Sequence, residues 1–196
     1  MDIARNRAGR VAAALRRART GSAMRRLADE LGTALRARPT PPGGVRAVCR
    51  ALCEEMSARR GGRPVELRFE RFPDEIEVTG LWVEFQDFDL IIVEERAEAV
   101  QQLVILGHEL WHLHAGHRHG VGPYAARALA GEPDWRDALT VAARNGSRQT
   151  DEAEADDFGH RLAAAFRPYL AGGDGRPHLE PVERSLGYRG RRGTDR

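Results

Sequence analysis

Apolar residues recur along this chain with two different periods, and the change from one to the other outlines its elements. From Val45 to about Arg60, Val45, Val48, Cys49, Leu52, Cys53 and Met56 repeat at helical spacing, which predicts an amphipathic helix with one buried face. Gly61 and Gly62 end it. From Pro64 to Phe72 the period drops to two. Val65, Leu67 and Phe69 fall on one face and Glu66, Arg68 and Glu70 on the other, as in a half-buried strand. Leu81 to Phe85 and Phe88 to Val93 flank Gln86-Asp87 and predict a hairpin, although its turn lacks the usual glycine. Helical spacing returns from about Arg96 to His114, and again from Thr150 to before Pro168. Shorter helices are expected near 124–130 and 134–144. Upstream, residues 1–38 read as one or two arginine-rich helices with a thin stripe of Val11, Leu15, Met24, Leu27, Leu31 and Leu35. The prolines and glycines of Pro39 to Gly44 stop that segment. Together these elements predict an α+β fold: a short antiparallel sheet packed on helices.

Composition narrows the class. With 196 residues the chain suits one domain with a real core. No apolar run approaches the roughly 20 residues of a membrane span, and the apolar stretch from Val11 to Leu15 is too short for a secretory signal. A cytoplasmic protein is expected. Cys49 and Cys53 fall on the apolar face of one helix and read as core residues, not as a disulfide or a metal pair. The overall charge of +2 hides a division. Residues 1–38 carry ten arginines against three acids, residues 39–170 fifteen against twenty-two, and residues 171–196 six against four. The body is acidic and the ends are basic. Residues 1–38 thus form an arginine-rich extension, 39–170 the main domain, and 171–196 a tail of disordered composition. Met24 offers an alternative start for translation. The arginines of the extension would permit nucleic-acid binding. The absence of an aromatic residue to stack on bases, and of any reading motif, argues against it. A solvated basic helix, or one docked on the acidic body, is expected instead.

Chemistry concentrates in His108-Glu109-Leu110-Trp111-His112, an HExxH sequence inside an apolar run. Four residues apart on a helix, His108 and His112 share a face and can reach one metal ion. Glu109 is offset by about 100°, beside the metal and out of line with the ligands, where a general base for a metal-activated water belongs. Burying two histidines and a glutamate without partners would cost several kcal/mol, which favours a metal site over a bland core segment.

A third ligand has two sources. His114, His117 and His119 follow closely, but Ala115 and Arg118 stand where the metzincin spacing wants glycine and histidine, with Gly116 and His119 each one place late. The alternative is the acidic start of the last helix. With about 100° per residue, Glu152 and Asp156 share the edge of its buried face above the small residues Gly159 and Ala163. Glu154 points to the far side. Glu152 fits a ligand and Asp156 a hydrogen-bond partner for a ligand histidine; the local histidines and Glu154 stay open as alternatives. His114, His117, Tyr124 and His160 are candidates to stabilise a transition state.

The run Gly107 to His114, followed downstream by Glu152-Ala-Glu-Ala-Asp-Asp-Phe158, resembles the two motifs of the ImmA/IrrE-type metallopeptidase-like family, the second of the form E-x-E-A-N/D-x-F. The preceding hairpin fits that family's layout. The chain is similar in particular to a bacterial subgroup labelled as the toxin component of toxin–antitoxin systems. The resemblance covers roughly residues 39–170. It implies a gluzincin-like zinc site with His108, His112 and Glu152 as ligands and Glu109 as base. It also implies a cytoplasmic peptidase whose substrate or partner is a helix-turn-helix repressor or antitoxin protein. Two departures stand out: Trp111, where many members have glycine, and a long segment between the motifs. Either would narrow the cleft. A metal-binding regulatory or toxin–antitoxin interaction module with weak catalysis is the competing expectation, and nucleic-acid binding through residues 1–38 a third.

Overall fold

The computed structural model describes residues 2–74, 78–117 and 149–171, with the backbone alone at 2–12, 149–150 and 171. The expected helices at 124–130 and 134–144, residues Tyr124 and His119, and the tail beyond Ala171 lie outside the described residues.

Helix α1 (Asp2–Arg36) is a single helix, and its two halves have different fates. Met24, Leu27, Ala28, Leu31 and Leu35 recur at helical spacing and are buried in the common core, whereas Leu15 is 55% exposed. The turn after α1 is pinned by Arg38, whose guanidinium lies 2.5 Å from Glu54 and 3.4 Å from Glu55. Arg59 on α2 reaches back to Glu30 at 2.5 Å. The second half of the basic segment is therefore part of the body, through its apolar stripe and through acids of its own and of α2.

Helix α2 (Val45–Arg59) buries Val48, Cys49, Leu52, Cys53 and Met56, the face its spacing predicts. Both cysteines are free and buried. Burial pushes the Cys49 thiol up to about 12, so it packs as a small hydrophobe.

Three strands follow: β1 (Val65–Glu70), β2 (Gly80–Glu84) and β3 (Asp89–Glu94). The hairpin forms as expected. Its turn is closed by the Phe85 N–H donating to the Phe88 carbonyl at 2.9 Å, and the two phenyl rings stack at 4.5 Å, a contact that stands in for the missing glycine. The sheet is not antiparallel throughout. Its order is β1-β3-β2, with β2 antiparallel and β1 parallel to β3. Arg63 explains the register. Just before β1, it donates to the carbonyls of Gln86 and Phe88 at 2.8 and 3.0 Å, and to that of Phe85, fixing the start of β1 beside the start of β3. The central strand, covered on both faces, is buried along its whole length, which is why Leu90 to Val93 is uniformly apolar.

Helix α3 (Ala99–Ala115) carries the HExxH sequence, and helix α4 (Gln149–Phe166) carries the acidic motif, followed by a 3-10 turn over Arg167–Ala171. Asp151 and Glu152 open α4, where negative charge favours the helix dipole. The two helices approach closely because each has a glycine at the crossing. A Cβ on Gly107 would lie 2.8 Å from the Gly159 Cα, and one on Gly159 would lie 2.5 Å from the Val104 carbonyl oxygen. No helix of the described residues is long and apolar enough to cross a membrane.

Candidate metal centre

The glycine crossing brings the two motifs face to face. The His108 and His112 Nε2 atoms lie 2.9 Å apart. Glu152 stands over both, one oxygen 3.2 Å from His108 Nε2 and the other 3.5 Å from His112 Nε2. Among the described residues, His108, His112 and Glu152 form a group that could hold a metal ion, each offering one ligand atom within 4.8 Å of the others. Donors bound tetrahedrally at about 2.0–2.1 Å stand about 3.3 Å from one another, so these separations fit one small cation. The chemistry fits too: two imidazole nitrogens and a carboxylate come together. Of the alternatives among the described residues, Glu154, His114 and His117 do not join the group.

The far sides of both imidazole rings are held. His108 Nδ1 lies 2.9 Å from the Asp156 carboxylate, one turn beyond Glu152 on α4, as the helical count expects. His112, fully buried, has its Nδ1 3.1 Å from Nδ1 of His117. Sequence reasoning weighed His117 as a ligand or stabiliser; it lies instead behind the ring of His112. The signal was in the chain: Gly116 takes a left-handed φ of 71°, and the His117 N–H returns to the His112 carbonyl at 3.0 Å. A glycine there bends the chain back on itself.

Glu109 is buried on the strand side of α3 and 6% exposed. Burial is the main cause that pushes its carboxyl up to about 8. The Glu152 charge adds to this, and a hydrogen bond from the Trp82 N–H opposes it. A bound divalent cation would draw it back down. Gly80 on β2 permits this closeness, since a Cβ there would meet Ile105 at 2.5 Å and the Glu109 Oε1 at 2.8 Å. Pairing of β2 with β3 turns the N–H and C=O of Leu81 and Val83 inward, leaving those of Gly80, Trp82 and Glu84 on the outer edge beside α3.

Trp111 does not stand in the cleft. Its ring is buried in the core against Phe158 at 5.2 Å, so its bulk fills the α3–α4 interface. Of the candidate stabilisers, His114 lies beside the Trp111 ring at 5.5 Å, and His160 is exposed. No protein-family model, curated protein or solved structure matches the chain.

Proposed function

We propose that this protein is a zinc-dependent peptidase of the ImmA/IrrE type, with His108, His112 and Glu152 as metal ligands and Glu109 as general base. The observation that carries the reading is the position of Glu109. On the helix that supplies both histidines, it is buried between their group and the outer edge of β2. A buried carboxyl beside a metal-ligand set is placed for proton transfer to and from a reacting water.

Zinc held by two imidazoles and a carboxylate would supply a Lewis acid that acidifies a water and polarises a carbonyl. Glu109 would take a proton from the attacking water and return it to the departing amine nitrogen. The Trp82 N–H orients the carboxylate for both tasks. Asp156 holds the His108 ring with its Nε2 turned toward Glu152.

The partner proposed from the motif resemblance is a helix-turn-helix repressor or antitoxin protein. A competing reading, a metal-binding interaction module, draws on Arg16, Arg17 and Arg19, exposed on the first half of α1, as a contact surface. Incubation of the zinc-loaded protein with such a repressor separates the two. Glu109→Gln is expected to keep its zinc and lose cleavage by at least about 100-fold, the lower end of the range for general acid–base catalysis. Equal cleavage by the two proteins would remove Glu109 from the mechanism. Zinc binding without cleavage by either would favour the interaction module.

A further inference from the structure

The two ligand histidines are supported differently, and the support of His112 has no counterpart in the motifs. We propose that His117 and Asp151 act as a positioning pair that fixes the ring of His112 in its ligand orientation. This inference rests on the metal site proposed above.

For His112 Nε2 to offer a lone pair beside His108 Nε2 and Glu152, the ring hydrogen must sit on Nδ1. The His112 side chain is wholly buried, and a buried N–H without an acceptor costs about 1–3 kcal/mol. His117 Nδ1, 3.1 Å away, is placed to accept it. Accepting there puts the hydrogen of His117 on Nε2, which faces the Asp151 carboxylate at 4.0 Å. Asp151 immediately precedes Glu152 in the first turn of α4. One turn of one helix therefore sends Glu152 to the ligand nitrogens and Asp151 to the group behind His112. Asp156, a turn later, goes directly to Nδ1 of His108.

The chain reaches this arrangement through its helix end. Gly116 adopts φ 71°, α3 stops, and the next residue is returned over the last turn, where the His117 N–H meets the His112 carbonyl. His117 is one-fifth exposed, with a side-chain exposure of 18%, so its imidazole is screened from solvent. The rings of His112 and His117 meet edge to face at 5.3 Å between centroids. That geometry places His117 on the side of the ring opposite the ligand atom, so it supports the ligand and does not compete for the metal.

The test uses the full chain, with cobalt(II) as a spectroscopic probe and zinc competition for affinity. The proteins are wild type, His117→Ala, His117→Asn, Asp151→Asn and, as a ligand control, Glu152→Ala. Asparagine keeps an acceptor near the position of Nδ1. The expectation is one metal per chain for wild type and all His117 and Asp151 variants. His117→Ala should weaken binding by about 10–100-fold, the range for a lost partner of a ligand histidine, and shift the cobalt bands. His117→Asn should restore most of both, and Asp151→Asn should lie between alanine and wild type. A purely structural role would instead lower the melting temperature of the metal-free protein and leave the cobalt bands of the folded fraction unmoved. An unchanged affinity and spectrum in His117→Ala overturns the proposal. So does loss of the metal equivalent to that in Glu152→Ala, because His117 would then be a ligand. If wild type takes up no metal, the site itself fails, and a failure of that kind is distinct from one confined to His117.

Discussion

Two acidic side chains are buried on either side of Trp82, and they are treated in opposite ways. Asp89, with no exposed surface, opens β3 and is fully answered. Arg63 Nε lies 2.8 Å from it, Arg60 3.1 Å, and the Trp82 indole N–H donates to it at 3.0 Å. Glu109, on the other side, receives the main-chain N–H of the same tryptophan and faces another carboxylate, Glu152. Among the described residues no arginine reaches it. A buried charge with cations around it locks the hairpin to the strand beside it. A buried acid left facing a second acid is a cost that the fold alone does not explain, and a cation in the His108, His112 and Glu152 group would offset it. The contrast separates a fully paired buried acid from one that faces a second acid, without reference to any motif.

The strongest way to break this comparison is to remove the paired acid. Asp89→Ala would leave two guanidinium groups and an indole N–H without their acceptor. It should cost about 3–5 kcal/mol, read as a large fall in the thermal melting midpoint. A loss below about 1 kcal/mol would mean that the arginines simply turn to solvent. Next comes the crossing that assembles the other side. Gly159→Ala places a methyl 2.5 Å from a main-chain oxygen, where only helix displacement relieves it. About 2–3 kcal/mol of stability should be lost, with zinc affinity falling at least ten-fold; unchanged affinity would show that the helices need not touch there.

A third expectation concerns pH at a paired acid. Glu94 accepts from the Phe72 and Arg96 main-chain N–H groups and from the Arg96 guanidinium. Arg96 in front of it holds its carboxyl down at about 2. A carboxylate with a depressed folded pKa contributes stability above its unfolded value near 4.5 and loses it as pH falls toward about 2. The contribution is about 2 kcal/mol once solvent around the half-exposed arginine is allowed for. Glu94→Gln should flatten this part of an acid-unfolding profile; an unaltered profile would assign acid unfolding to other groups. The smallest effect is on the acid that faces a second acid. Glu109→Gln removes a buried ionisable group that lacks a counter-ion and should stabilise the metal-free protein by about 1 kcal/mol at neutral pH. Destabilisation would mean that Glu109 is as well compensated as Asp89.

Much of this architecture was legible from spacing. The two periods located α2, the hairpin, α3 and α4, and helical angles placed Glu152 and Asp156 on the face that meets His108. The parallel pairing of β1 was not legible, because it depends on Arg63 gripping three carbonyls of a turn more than twenty residues downstream. The burial of the second half of α1 was only half visible. Arginines dominate the charge of residues 1–38 as a whole, while in the second half five apolar residues at helical spacing do the packing. The arrangement behind His112 escaped for a different reason. His117 was judged on ligand spacing, and its position is set by a glycine helix end, a backbone feature that spacing does not weigh. Trp111 escaped in the same way: its bulk was visible, but the direction of its ring, toward Phe158, needed the packed helices.

The central claim is that His108, His112 and Glu152 hold one zinc ion, and its most direct test is the zinc content per chain of wild type beside Glu152→Ala and Glu154→Ala, purified identically. The account predicts about one zinc for wild type and Glu154→Ala and none for Glu152→Ala, since only Glu152 stands over both ligand nitrogens. Zinc retained in full by Glu152→Ala, or a wild-type chain that cannot be loaded, would contradict it.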